Sequence, residues 1–179
     1  MKTKQITFSA LALAFAVFIS TVIKLPSLPN GGSVTLFSML VISVVGYWYG
    51  PTTGIIVAVI YGVLQFIIEP YFLHPVQCLL DYPLAFGALG LSGFFAKRKN
   101  GLVWGYIVGI IGRLICHEIS GLIFFTTYVE GFEANLTVIW GTLFYNASYV
   151  LAEGGVTLLL LASPAVRNMF ERLKRLAIS

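Results

Sequence analysis

The sequence predicts an all-α integral membrane protein, with six transmembrane helices in a single bundle and both termini inside. Three observations carry this. Hydrophobic residues make up 58% of the 179 and charged residues only 10%, against about 25% charged in a soluble domain. The apolar residues come in runs close to the ~20 needed to cross a bilayer, separated by Pro- and Gly-rich breaks. Nine of the eleven Lys and Arg fall at the two ends or in one connection, a bias that sets membrane orientation.

The first span is predicted over residues 5–24. It follows Lys2 and Lys4 and stays apolar to Ile23. That run of ~18 residues exceeds the ~7–15 of a cleaved leader, so a retained helix is expected. Pro26, Pro29 and Asn30-Gly31-Gly32 break the chain. The second span, 34–49, ends at Tyr49-Gly50-Pro51, and the third, 52–69, at Glu69-Pro70. "YFLHPVQCLL" (71–80) reads as too broken by Pro75 to cross by itself. The fourth, fifth and sixth spans are predicted at 81–96, 101–127 and 136–163. Pro164 then opens a basic tail, 164–179, expected as a helix on the lipid surface. Residues 1–179 thus read as one membrane domain.

With both termini inside, the cytoplasmic segments hold Lys2, Lys4, Lys97, Arg98, Lys99, Arg167, Arg172, Lys174 and Arg175. The outer ones hold Lys24 with Glu69, Glu130 and Glu133. The formal net charge of +4 therefore reports topology, and no nucleic-acid partner is expected. The chain is expected as a multi-pass protein of the cell membrane. Cys78 and Cys116 stand in apolar context without CxxC or zinc-site spacing, which fits buried free thiols.

"GRLICHEISG" (112–121) sets Arg113, His117 and Glu118 inside the fifth span, although a charge at mid-bilayer costs at least ~2.5–3.5 kcal/mol. Orientation turns sequence position into depth. At about 1.5 Å per residue, His117 lies ~24 Å above the inner end, Gln65 ~20 Å above it, and Asn146 ~15 Å below the outer end. Asp81 opens the fourth span at its outer end. Four polar groups on four helices thus meet at one level. Arg113, His117 and Gly121 share a helical face, as do Asn146, Tyr149 and Glu153, while Glu118 points ~100° away from His117. The pattern predicts a water-accessible pocket open to the outside, with Arg113 as its polar floor and His117 in its wall. Structural alternatives stand beside each residue. Asp81 suits an N-cap with Pro83 in the first turn. His117 suits a satisfied bundle histidine, Arg113 an ion pair with Glu153, and Asn146 an interhelical bond. Trp48, Tyr49 and Trp104 suit interfacial belts.

There is no P-loop, HExxH or CxxC. Cys116 and His117 are adjacent on a helix and do not face each other. Ser120 is within reach of His117, so an intramembrane Ser/His hydrolase is the distant alternative, without a visible oxyanion loop.

The stretches "NGGSVTLFSML" (30–40), "YGVLQFIIEPY" (61–71), "LLDYPLAFGALGLSG" (79–93), "GRLICHEISGLIFF" (112–125) and "YNASYVLAE" (145–153) resemble, in order, the thiamine-specific substrate-binding subunits (S components) of energy-coupling factor (ECF) vitamin transporters. The resemblance implies a non-enzymatic subunit without a cofactor. It binds the vitamin from outside, docks on a membrane coupling subunit driven by two ATPases, and topples to deliver the ligand. It also implies a site. The family's acid-Tyr pair matches Asp81 and Tyr82, and R-x-x-x-H-x-x-x-G matches Arg113, His117 and Gly121. The sixth-helix asparagine matches Asn146, the third-helix aromatic Tyr61, and the following loop tyrosine Tyr71. Three positions depart: Asp81 replaces Glu, Phe125 replaces Trp, and Gly141 stands where a tyrosine is expected. Trp140 or Tyr145 is the expected substitute for that tyrosine. Ala10 and Ala14 of the first helix form a small-xxx-small stripe, which the resemblance makes a docking face for the coupling subunit.

On chemistry, the thiazolium cation of thiamine wants a carboxylate and aromatic faces, here Asp81, Tyr82, Tyr61 and Phe125. The aminopyrimidine wants donors and acceptors, here Asn146 and His117. A neutral pyridoxine-like or hydroxymethylpyrimidine ligand would fit the same pocket, with the acid less essential.

Overall fold

The computed structural model describes residues 3–25, 28, 32–128 and 136–179, and of these the side chains of all but 125–128 and 137. Among the described residues seven helical elements follow one another: α1 Thr3–Val22, α2 Ser38–Tyr49, α3 Pro51–Ile68, α4 Pro75–Phe95, α5 Gly101–Tyr128, α6 Leu136–Ala162 and α7 Pro164–Ile178. Five of them, α1 and α3–α6, are long and apolar enough to cross a membrane, and α2 is a sixth apolar helix of 12 residues. The outward faces carry Phe15, Phe18, Ile67, Phe94 and Leu159 exposed, as suits lipid contact.

Two helix starts and the packing of the tail differ from the sequence reading, each for a local reason. The fourth helix begins at Pro75, not at residue 81. Pro75 occupies the first helical position, where its fixed φ favours the helix, and the His74 side chain accepts from Val76 N at 3.2 Å as N-cap. Asp81 is therefore mid-helix and caps nothing. Along α4 the backbone changes type. Leu80–Leu84 is a π turn and Ala88–Phe95 is 3₁₀. Pro83 lies inside the π turn, where its missing N–H breaks the regular ladder.

The second helix begins at Ser38. Residues 34–37 instead run beside the end of α1, with Leu25 N donating to Val34 O at 3.0 Å and Leu36 N to Ile23 O at 3.2 Å. The start of α2 is held by a carboxylate from α6. Glu153 Oε1 accepts from Met39 N at 3.2 Å and Ser38 Oγ at 3.4 Å, and its Oε2 from Thr35 N at 3.3 Å and Thr35 Oγ1 at 3.2 Å. An acid at a helix N-terminus meets orphan N–H groups and the positive end of the dipole. Glu153 thus serves α2. It does not pair with Arg113 within ion-pair distance, contrary to expectation.

The tail differs as well. One side of α7 packs on the bundle: Tyr47 donates to Glu171, Lys174 to Ala96 O, and Tyr49 to Ala177 O at 3.1 Å. Burial of the Lys174 amine lowers its pKa. The other side leaves Met169, Leu173 and Leu176 exposed, so only half of the helix is free to meet lipid.

The core lies where α2, α3 and the 3₁₀ half of α4 meet backbone to backbone. A Cβ on Gly54 would sit 2.5 Å from Gly46 Cα, and one on Gly90 would sit 2.3 Å from Ile55 N. Ser92 donates to Ser43 O at 2.6 Å across this contact. Close packing here frees the other end of the bundle, where α3, α4, α5 and α6 splay around a cavity.

Candidate functional site

A cavity of about 470 Å³ lies between α3, α4, α5 and α6, with residues 32 and 33 before α2 along one wall. That volume is within the ~300–1,000 Å³ usual for small-molecule sites. Its wall includes Gln65, Glu69, Tyr71, Gln77, Asp81, Tyr82, Phe86, Arg113, His117, Ser120, Gly121, Phe124, Tyr145, Asn146 and Tyr149. The sequence-predicted residues Asp81, Tyr82, His117, Gly121, Asn146, Gln65, Tyr71 and Tyr145 therefore converge.

Asp81 is the centre of the polar network. Its Oδ1 lies 3.0 Å from His117 Nδ1, and its Oδ2 accepts from Gln77 Nε2 at 2.7 Å and Ser120 Oγ at 2.9 Å. On the far side of the imidazole, Arg113 Nε donates to His117 Nε2 at 3.2 Å. The Arg113 guanidinium also stacks over the Phe86 ring, 4.2 Å from its centroid, a cation–π contact that offsets part of its desolvation. The π turn aims Asp81 here. It adds a residue to one turn, re-aiming the helix face just where the carboxylate must reach α5.

Around this network the wall is aromatic. Tyr82 Oη accepts from Tyr71 N at 3.0 Å and donates to Glu69 O at 2.9 Å, tying the loop after α3 to α4. Lys24 pairs with Glu69 at the same end of the bundle. Tyr149 lies edge-on to His117 and to Tyr145, centroids 5.7 Å apart in both cases. Tyr145 Oη accepts from Gly32 N at 2.9 Å, and a Cβ on Gly32 would come within 2.7 Å of that oxygen. Only glycine lets the loop lie this close over the two tyrosines.

Asn146 is more committed than the sequence suggests. Its Nδ2 donates to His117 O at 3.1 Å and to Glu118 Oε2 at 3.2 Å, and its Oδ1 accepts from Tyr149 at 3.1 Å. Both amide hydrogens are used, so Asn146 offers a ligand one remaining lone pair on Oδ1. Glu118, which points away from His117 as expected, also accepts from Thr142 at 2.6 Å. It fastens α5 to α6.

Three sequence-predicted residues stand elsewhere or lie outside the description. Tyr61 is fully buried beneath the cavity, edge-on to Phe86 with centroids 5.0 Å apart. Its position on α3 turns it into the core beside α2, so it supports the wall without forming it. Trp140 is 65% exposed on the outward face of α6. It precedes Thr142 by two residues, ~200° around the helix, so it cannot share the cavity face. Of its suggested substitutes for the missing tyrosine, Tyr145 alone reaches the cavity. Phe125 lies in α5, but its side chain is outside the described residues. On α1, Ala10 and Ala14 are exposed, whereas Ala12 is partly buried and Ala16 fully buried. Sequence reasoning missed Gln77 as a partner of Asp81. The spacing of four residues between them would have shown it had the helix been started at Pro75.

The chain is 35% identical over 140 residues to the thiamine transporter ThiT of Bacillus subtilis (strain 168), covering 70% of each chain. Among solved structures, ThiT from Listeria monocytogenes superposes with a TM-score of 0.63 at 24% identity, covering 91% of this chain and 94% of that one. The S component of a bacterial ECF transporter superposes at 0.55 with 20% identity, over 97% and 99%. Both share the fold. These are transporters and not enzymes, which removes the hydrolase alternative. The family model for thiamine transporter proteins (Thia_YuaJ) matches residues 6–170, nearly the whole chain, and the chain belongs to that family.

Proposed function

We propose that this protein is the thiamine-binding S component of an ECF-type importer, taking the vitamin from outside into the cavity around Asp81. The observation that carries this is the state of that carboxylate. Its three partners are the His117 imidazole, the Ser120 hydroxyl and the Gln77 amide, and no Lys or Arg pairs with it among the described residues. In an aromatic wall within a membrane bundle, such an acid wants a cation, and the thiazolium supplies one. Asp81, Tyr82, His117, Gly121, Asn146, Tyr71, Gln65 and Tyr145 make the binding set, with Tyr61 behind it and Trp140 facing outward.

The bundle has six spans and both termini inside. In this reading α2 crosses together with the extended residues before it, since 12 helical residues reach only ~18 Å. The basic loop at 97–99 and α7 then lie in the cytoplasm, and the cavity opens outward. Uptake requires a transmembrane coupling subunit and two ATPases, because no nucleotide-binding motif is present here. The exposed Ala10–Ala14 stripe docks on that coupling subunit.

The test is mass spectrometry of small molecules that co-purify with detergent-solubilised protein, followed by titration of ligand-free protein with thiamine. Bound thiamine and tight titration are expected. Protein that co-purifies with no vitamin and gives no heat with thiamine overturns the reading.

A further inference from the structure

Arg113 is buried at the floor of the cavity, and among the described residues no carboxylate lies within ion-pair distance of it. Among the described residues its side chain hydrogen-bonds from Nε to His117 Nε2. A guanidinium has donors only, so His117 Nε2 must accept and carries no proton. The single ring proton is then on Nδ1, where it is donated to Asp81 Oδ1 at 3.0 Å. The tautomer is assigned from this network.

We infer that Arg113 is a specificity-determining positioning residue: it holds His117 as the neutral Nδ1–H tautomer, which keeps Asp81 an unneutralised anion for a cationic ligand. This rests on the proposed thiamine site. A second proton on Nε2 would set N–H against N–H at 3.2 Å, two donors facing each other. Without Arg113 that proton has room. His117 would then become an imidazolium paired with Asp81, cancelling the acid and placing a like charge beside the thiazolium. The other titratable groups around the ring do not replace Arg113. From α4 comes Asp81, already on Nδ1. From α6, Tyr149 meets the ring edge-on with its hydroxyl donated to Asn146, and Glu153 is engaged with the start of α2. Glu118, next in sequence, is held by Thr142 and Asn146, and Tyr61 of α3 packs below on Phe86.

Two measurements test this. The first is calorimetry with thiamine from pH 8 to pH 5.5 on the wild type and Arg113→Met. Without the Arg113 donor facing Nε2, His117 can take a second proton as pH falls, so the variant should lose several-fold in affinity across that range. Protonation weakens binding, so affinity in the variant is full at the upper end of the range and falls as pH drops. The wild type should stay nearly flat, and Arg113→Met with His117→Asn should be flat again. A flat single variant, or a wild type with the same slope, overturns the inference. The second is ¹⁵N NMR of His74→Gln protein, which leaves His117 as the only histidine. A bare Nε2 and a protonated Nδ1 at pH 6 are expected. An Nε2–H tautomer or an imidazolium there overturns the inference whether or not Arg113→Met folds. Because the spectra need no ligand, they decide the tautomer even if the wild type fails to bind thiamine, a failure that would count against the proposed function alone.

Discussion

Asp81→Asn isolates the charge of the cavity while keeping its size. In the structure both carboxylate oxygens only accept: Oδ1 faces His117 Nδ1, and Oδ2 faces Gln77 Nε2 and Ser120 Oγ. An asparagine must turn its NH₂ toward one of these sets. Toward Oδ2 it meets two donors, although Ser120 can rotate its hydroxyl to accept. Toward Oδ1 it meets Nδ1–H, which cannot move to Nε2 while Arg113 donates there. The first orientation is the milder, so the network survives with one weakened contact. The charge is lost in full. Two unit charges 4 Å apart at an effective dielectric of 20 attract by about 4 kcal/mol before desolvation is counted, and measured charge-assisted contacts run about 1.5–3 kcal/mol. Thiamine should therefore bind the variant on the order of 10- to 100-fold more weakly. Hydroxymethylpyrimidine, which lacks the thiazolium, should lose less than about threefold. Calorimetry at pH 7 with both ligands reads the difference. Equal thiamine affinity in wild type and variant, or equal losses for the two ligands, would refute an ion-pairing role for Asp81.

Two further outcomes follow from other parts of the fold. Glu153→Gln places an NH₂ among four contacts that all donate to the carboxylate. It should destabilise the protein by about 1–3 kcal/mol, seen as a lower thermal midpoint in detergent, and an unchanged midpoint would mean that the cap does not depend on the charge. On α1, Ala10→Trp should abolish uptake by the assembled transporter while purified protein still binds thiamine, whereas Ala16→Trp, at a fully buried position, should lose both; loss of binding in the first variant would turn the stripe into packing surface.

How much of this was legible in the sequence depends on what kind of information each feature needs. The membrane class and five of the helices follow from composition and run length alone, because lipid imposes one simple rule on every outward position. Asp81, His117, Gln65 and Asn146, brought to one level by counting 1.5 Å per residue, line one cavity. What failed needed tertiary context. Pro75 looks like a break until it is seen at the first helical position. The π turn at Leu80–Leu84 has no periodic signature, so Asp81 was placed at a helix end and its partner Gln77 in a loop. Tyr61 enters through the family resemblance and Trp140 as the neighbour of Gly141, and neither basis specifies which way a helix side faces.

The run Arg113, His117, Glu118 shows how rotation completes the account that depth begins. Three ionisable groups within six residues look like an excessive burden for one membrane helix. They are not one cluster. Arg113 and His117, four apart, share the face that looks into the cavity, and there they form a chain with Asp81 whose charges sum to zero: one guanidinium, one neutral imidazole, one carboxylate. Glu118, ~100° further round, faces α6 and is held by Thr142 and Asn146. The cavity side is thus electrically balanced but polarised, with the cation under the floor against Phe86 and the anion in the wall. A bound thiazolium would meet the acid first and the guanidinium only across the imidazole. Balance lowers the cost of keeping charges at this depth, and polarisation leaves the anionic end free for a ligand. A sequence that placed the arginine next to the acid would satisfy the first condition and lose the second.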